Sequence, residues 1–413
     1  MSSLPRYAAL LALALGLAAC ERDEAPAAAP STAVPNQVEA GRYLVQAGDC
    51  AACHTLPGGV EYAGGRPVIT PYGSIYSTNL TPDADTGLGR WSADDFWQAL
   101  HYGRSKNLGL LYPAFPFTNF TKLSRRDSDA IYAYLKSLPA AHQPTPPAQM
   151  RFPYSLRPLM RVWRALYFSA GSYQPDAAKS PAWNRGAYLV EGLGHCDACH
   201  SERNFLGAVK TSTALQGGLM AGAGWYAPPI AGTKDPQLAR LLHGGLSDHR
   251  VASGPMASVV YYSLQHLSQE DTQAIAEYLG ALPAAKSPWR PEAVLLSTAQ
   301  ATELAGRGKT IYEKQCQDCH AADGSGRPPA YPALAGNPAV LGPPVNPLRI
   351  IANGGFAPGT ADNPRPYGMP AFIGDLDDED LAAVLTYVRR SWGNAAPAVS
   401  PVEAGRDKLL PAW

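Results

Sequence analysis

The chain has no excess charge of either sign: 34 Lys and Arg residues stand against 34 Asp and Glu over 413 positions. That balance excludes the global electrostatic field on which a nucleic-acid partner would depend. Long apolar runs are missing as well. Beyond the first 19 residues no stretch offers enough consecutive apolar side chains for a helix to span a bilayer. Cysteine is scarce, with seven in the chain, and six of those fall into one pattern used three times: Cys50-Ala51-Ala52-Cys53-His54, Cys196-Asp197-Ala198-Cys199-His200 and Cys316-Gln317-Asp318-Cys319-His320.

Cys-x-x-Cys-His is the attachment signature of a c-type haem. Two thiols three positions apart form thioethers to one porphyrin edge, and the adjacent imidazole then lies under the iron as proximal ligand. Zinc sites and redox dithiols also use Cys-x-x-Cys. Zinc sites pair such motifs with one another, however, and redox motifs do not carry a following histidine each time. Three complete copies therefore point to three covalently bound haem c groups, held by Cys50, Cys53, Cys196, Cys199, Cys316 and Cys319 with His54, His200 and His320 on iron.

The seventh cysteine closes the N-terminal segment. Arg6 is followed by an apolar run from Ala8 to Ala19 that ends Leu17-Ala18-Ala19-Cys20, which resembles the lipobox of bacterial lipoprotein signal peptides. Such a run fits a cleaved export signal and is too short to span a bilayer. The expectation is a signal peptide over residues 1–19, lipidation at Cys20, and an Ala/Pro-rich tether over 20–35 that carries the protein on the periplasmic face of a membrane. An ordinary signal peptide with a chance cysteine is the competing reading.

A second repeated element lies downstream of each signature: LSRRDSDAIYAYLKSLP from Leu123, LSQEDTQAIAEYLGALP from Leu267 and LDDEDLAAVLTYVRRSW from Leu376. Ser124 with Asp127, and Ser268 with Asp271, make a Ser-x-x-acid helix start, of which Asp377 with Asp380 is a variant. Ile275, Tyr278, Leu279 and Leu282 recur at helical spacing. A short helix with a small residue precedes each signature, at Gly41, Gly186 and Gly308. Helix, haem motif, long loop, helix is the order of a class I cytochrome c. The resemblance implies an all-α fold of three tandem domains, residues 36–140, 180–285 and 300–393, with a linker over 141–179 and a C-terminal tail over 394–413. It also implies that each glycine packs on the aromatic of its partner helix, Tyr134, Tyr278 or Tyr387.

In that fold the sixth ligand is usually a methionine from the loop before the last helix. Met256, in Ser253-Gly254-Pro255-Met256, and Met369, in Tyr367-Gly368-Met369-Pro370, occupy such loops, with Gly and Pro neighbours suited to a non-helical approach. A His/Met pair favours ferrous iron and raises the potential. The first repeat differs, since its loop Leu111-Tyr112-Pro113-Ala114-Phe115-Pro116-Phe117 has no methionine. His101, in a helix from Phe96 to Tyr102, is the nearest upstream candidate, and Met150 and Met160 lie beyond the last helix. An unusual ligand, a ligand lent by another segment and five-coordinate iron all stand open there.

Taken together, Thr70 to Gly73, Ser77 to Asp83 with Thr86 to Gly89, Met256 to Pro283, Leu334 to Pro338, Met369 to Phe372 and Ser391 to Asn394 make the chain similar to the triheme cytochrome c subunits of bacterial membrane-bound dehydrogenases acting on alcohols, gluconate, sorbitose and some aldehydes. That family commonly has methionine where Phe115 stands. The resemblance implies a periplasmic relay that takes electrons from a dehydrogenase catalytic subunit and passes them to ubiquinone in the membrane or to a terminal oxidase, with no substrate site of its own. A haem enzyme with an open first iron, of peroxidase or thiosulfate-oxidising type, is the alternative. Arg157 to Tyr167 reads as a basic amphipathic helix with Leu159, Trp163, Leu166 and Tyr167 on one side, serving lipid, the dehydrogenase or its own domains.

Overall fold

Three sequence copies of one helix begin the same way in space. The computed structural model describes residues 35–220, 222–284 and 296–408, so the signal segment, Cys20 and the tether lie outside the described residues. The closing helices span Arg125–Ser137, Gln269–Ala281 and Asp378–Arg390. Ser124 accepts a hydrogen bond from the Asp127 N–H, Ser268 from that of Asp271 and Asp377 from that of Asp380. Each cap satisfies one amide that the first helical turn leaves unpaired.

Every closing helix crosses a lead helix: Pro35–Ala47, Pro181–Ala187 with its wider continuation Tyr188–Leu193, and Thr298–Gln315. The third is 18 residues long, more than the short helix expected. Backbones touch at the crossings. A methyl group on Gly41 would lie 1.9 Å from the Ala130 carbonyl oxygen and 2.9 Å from Tyr134 Cβ. At Gly186 the corresponding distances are 2.0 Å to Ala274 O and 2.8 Å to Tyr278 Cβ, and at Gly308 they are 2.0 Å to Ala383 O and 2.9 Å to Tyr387 Cβ. The expected glycine–aromatic contact is thus present three times.

The all-α expectation needs correction, because the loops between signature and closing helix carry short antiparallel strands. Pro67–Thr70 pairs with Gly73–Tyr76, to which Gln149–Met150 adds an edge. Two-residue or three-residue pairs join Arg104–Ser105 to Gly109–Leu110, Gly218–Met220 to Trp225–Ala227 and Gly355–Phe356 to Gly368–Met369. These loops fold back against the core, and their amides find partners in each other once water is withdrawn. Strands of two to four residues are too short to leave a period in the sequence.

The first two repeats share one apolar core, which runs from Leu44, Val45 and Ile131 to Leu189, Leu193 and Leu279, while the third has its own around Tyr312, Leu348 and Leu385. A reciprocal contact locks the first pair. The hydroxyl of Tyr43, on the first lead helix, accepts from Ser268 N–H and donates to Asp271 at the start of the second closing helix. Tyr188, on the second lead helix, likewise accepts from Ser124 N–H and donates to Asp127. In a capping box the third helical residue would reach the cap amide itself; here a tyrosine from the other repeat is inserted between them. Thr310 stands at the matching position of the third repeat, and there Arg307 pairs with Asp380 instead.

The third repeat docks on the second through polar contacts. The Asn346 side chain bonds both the N–H and the carbonyl of Tyr226, Arg349 donates to Ala223 O and lies over Trp225, and Asp362 meets His243 at 2.8 Å. The stretch beyond residue 394, expected as a tail, carries a helix, Pro401–Lys408, that packs its buried Ala404 on the third core. The linker helix Leu159–Tyr167 also departs from its expected faces. Trp163 is buried with Met160 against Tyr112, Phe117 and Ala208, whereas Leu159 and Leu166 face outward. Packing on the loop of the first repeat divides the helix differently from its hydrophobic pattern.

Two outcomes test these contacts. Gly186→Ala forces a methyl against the Ala274 carbonyl and should cost about 1–3 kcal/mol of stability, read from the denaturant midpoint of the haem-loaded protein. Burial alone would raise the Asp271 carboxyl, but hydrogen bonds from Arg185 and Tyr43 outweigh it and hold the group below its ordinary value. The stabilisation is therefore full above the unfolded carboxylate pKa of roughly 4 and is lost as pH falls through the lower folded value. The stability gap between wild type and Asp271→Asn should close in that acid window.

Candidate cofactor site

The three signatures form short helical turns at Cys50–His54, Asp197–His200 and Gln317–His320. None of the six cysteines is in a disulfide. Desolvation pushes the Cys50 and Cys196 thiols up to about 12 and those of Cys53, Cys199 and Cys316 up to about 11. A redox dithiol works through a thiolate near neutral pH, and burial of these five thiols acts in the opposite direction. Among the described residues no group of three or more His, Cys, Asp or Glu side chains is placed to hold a metal ion, which leaves the paired-motif zinc reading without a site.

Each histidine is oriented identically. The Nδ1 of His54 lies 2.6 Å from the Thr78 carbonyl oxygen, that of His200 2.7 Å from Pro228 O and that of His320 3.0 Å from Pro332 O. A carbonyl only accepts, so Nδ1 carries the proton and Nε2 keeps its lone pair for iron. Desolvation lowers the pKa of all three imidazoles, in keeping with neutral ligands. Two thiols and one imidazole with a free Nε2, presented three times, fit the attachment of haem c.

Sequence reasoning missed the carbonyls; of the three, only Thr78 lies in a segment it had marked, Ser77 to Asp83. Asn79 donates to Ala141 O and accepts from Thr81 N–H, which fixes the loop offering Thr78. Asn337 and Asn394 do the same beside Pro332: Asn337 donates to Ala333 O, and Asn394 donates to Leu334 O and Val388 O. Two arginines were also missed. Arg66 donates to Ala52 O at 2.7 Å and Arg203 to Ala198 O at 2.8 Å, each clamping the residue before the second cysteine of its motif. The first two motifs adjoin each other. His195, next to the second motif, is hydrogen bonded to the Gly48 backbone two residues before the first.

Of the methionines expected as sixth ligands, Met256 is the second residue of a helix, Pro255–Tyr262, rather than part of a non-helical approach. The non-helical residue is Gly254, with φ 55°, whose Cα faces the Trp225 ring. Met369 sits on a two-residue strand paired with Gly355. Phe115 packs against Phe120, 5.3 Å between centroids. His101 is buried in the helix Ala93–Tyr102 and stacks on Trp97 at 4.1 Å. It stands two residues before the left-handed cap Gly103, as His243 stands before Gly245. His243 points to Asp362 of the third repeat, whereas the Nδ1 of His101 is buried without a hydrogen-bond partner and its ring lies between Trp97 and Tyr102. Met150 and Met160 both pack in the apolar cluster around Phe117 and Trp163.

A family model described as cytochrome c matches residues 38–139 and 305–392. The gluconate 2-dehydrogenase cytochrome c subunit of Pantoea cypripedii is 37% identical over 382 residues, covering 87% of this chain and 87% of that protein. The cytochrome c subunit of the quinone alcohol dehydrogenase of Gluconobacter oxydans is 37% identical over 414 residues, 94% of this chain and 84% of its own. A subunit of the nicotinate dehydrogenase of Pseudomonas putida is 41% identical over 377 residues, but the chain spans 31% of its length.

The distal arrangement yields a direct test. Phe115→Met should give the first iron a thioether ligand and raise its potential, seen as a new methionine–iron signature in paramagnetic NMR and a shifted wave in redox titration. Unchanged spectra would mean that the loop does not face the iron.

Proposed function

The chain belongs to the cytochrome c family, alongside the cytochrome c subunits of dehydrogenases, and from that premise we propose that it is a triheme electron carrier serving a dehydrogenase catalytic subunit at the periplasmic face of a bacterial membrane. Haem c, when bound, takes up and gives back one electron at its iron. The protein's part is to anchor, orient and tune. Cys50 with Cys53, Cys196 with Cys199 and Cys316 with Cys319 would hold the porphyrin edges, and His54, His200 and His320 the irons, with Met256 and Met369 as the further ligands proposed for the second and third. The observation that carries this reading is the thrice-repeated imidazole with Nδ1 tied to a backbone carbonyl and Nε2 left for metal.

Contact between repeats supports an ordered path. The first two signatures adjoin across a shared core, and the third repeat is docked on the second, so the middle repeat connects the other two. Electrons would enter from the partner dehydrogenase and leave to ubiquinone or a terminal oxidase. Cys20, as a lipidated N-terminus, would keep the carrier on the membrane; among the described residues no helix is long and apolar enough to cross one. The haem-enzyme alternative has only Phe115 in its favour, and carbon monoxide binding by the ferrous first haem would be its signature.

Purification from native membranes tests the proposal. Three haems per chain should survive acid-acetone extraction, a dehydrogenase subunit should co-purify, and Cys20→Ala should lose the lipid modification. A pigment that washes free, or fewer than three haems, would overturn the triheme reading.

A further inference from the structure

One helix of the third repeat, Val345–Asn353, touches both segments expected to supply a sixth ligand. Its flank meets the second repeat. Asn346 and Arg349, three positions apart and therefore neighbours on one side of the helix, both bond the hairpin Gly218–Met220/Trp225–Ala227. Tyr226 N–H donates to Asn346 Oδ1 at 2.9 Å, and Asn346 Nδ2 donates back to the Tyr226 carbonyl at 2.7 Å. Arg349 donates to the Ala223 carbonyl at 2.9 Å, and its guanidinium lies 5.2 Å from the centre of the Trp225 ring. The C-terminal end of the same helix meets its own repeat. The Ile351 and Ala352 carbonyls accept from Phe372 and Ile373 N–H, and a methyl on Gly354 would lie 2.5 Å from the Met369 carbonyl oxygen.

Trp225 carries this contact on toward Met256. The six-membered part of its ring lies against Gly254, where a methyl would come within 2.8 Å of the indole. Gly254 has φ 55° and ψ −136°, a backbone conformation that glycine alone takes up readily. It caps the helix Pro255–Tyr262, of which Met256 is the second residue. Arg349, Trp225, Gly254 and the start of the Met256 helix therefore form one packed row that crosses from the third repeat into the second. Arg349 is 2% exposed; burial lowers its pKa, and the charge of Asp407, buried on the C-terminal helix, opposes that effect. A guanidinium stays charged even there, and its stacking on an indole is stronger away from water. We infer that Arg349 and Trp225 are positioning residues for the second haem, through which the third repeat holds the Gly254-Pro255-Met256 turn where Met256 reaches the iron. This deepens the triheme reading and rests on Met256 as a ligand. The second repeat supplies the thioether, and the third fixes its approach. A loosened turn weakens the methionine–iron bond and lowers the second potential, since that ligand favours ferrous iron.

The haem-loaded protein is compared with Arg349→Gln, Trp225→Leu and Trp225→Phe by NMR of the reduced state, where each methionine–iron bond gives its own strongly shifted methyl resonance, and by redox titration. Met256→Leu first identifies the resonance of the second haem. That resonance should be lost or broadened in Arg349→Gln and Trp225→Leu, together with a fall in the second potential. It should persist in Trp225→Phe, whose ring still lies beside Gly254. Asp362→Ala, which removes the separate contact with His243 between the same two repeats, should leave it in place. If Arg349→Gln does not mature with three haems, the two Trp225 variants decide by themselves. An unchanged second resonance and potential in Trp225→Leu and Arg349→Gln overturns the inference while leaving Met256 ligation intact. Equal loss in Asp362→Ala also overturns it, by making the effect one of docking in general. So does a potential that falls in Arg349→Gln with the Met256 resonance intact, which would reduce the arginine to a nearby charge. A Met256→Leu variant that removes no resonance would instead overturn the ligand reading itself, and this inference with it.

Discussion

Nothing larger than a hydrogen atom fits where each lead helix meets its closing helix, and the rest of the molecule follows from that. With a carbonyl oxygen about 2 Å from the place a methyl would take, the helix axes come as close as two backbones allow. The ring of the aromatic on the closing helix then has a fixed position beside the crossing: Tyr134 meets Tyr62, Tyr278 meets Trp183, and Tyr387 meets Tyr312 and Trp392. A rigid V of two helices holds the signature at its open end, and the loop between them has to return across that end. The carbonyls that orient the imidazoles come from this returning loop.

The loops obey a second constraint. A backbone carbonyl must point inward at a histidine in each repeat, yet an isolated loop has many ways to satisfy its amides elsewhere. Asn79 in the first repeat, and Asn337 with Asn394 in the third, remove that freedom by bonding the loop to itself and to the end of the closing helix. Side-chain amides do this well because each carries both donors and an acceptor. Two of the repeats therefore present their carbonyls through different asparagines but with the same result at the imidazole.

The repeats are alike as folds and unlike as neighbours. Tyr43 and Tyr188 stitch the first two into a reciprocal pair, each hydroxyl standing inside the helix cap of the other repeat, and the apolar core runs through both. Truncating Tyr188 would take away a partner of the Ser124 amide and of the Asp127 carboxylate at once, whereas Asp271 would keep Arg185 if Tyr43 were truncated. The third repeat has a threonine at that position and joins through Asn346, Arg349 and Asp362, polar groups around its own separate core. A tightly fused pair with a third unit attached by hydrogen bonds matches a carrier whose first two sites are fixed relative to each other.

How much of this the residues announce on their own depends on how far apart the cooperating groups lie. The three signatures, the helix starts and the close-crossing glycines were legible in the sequence, because each is local or repeats at a constant offset, and covalent and helical geometry leave those patterns no other use. The hairpins were not, since pairs of two to four residues form only when loops are pressed on a core. Nor were the carbonyl acceptors of Thr78, Pro228 and Pro332, because every residue has a carbonyl and only the fold selects one. The faces of the linker helix were misread for a related reason: its hydrophobic pattern shows that it is amphipathic, but Trp163 was buried and Leu166 left outside by the loop they pack beside. Chain chemistry determined what this protein holds and how each unit is built, whereas tertiary contact alone decided which units are joined and which side chains are left facing outward.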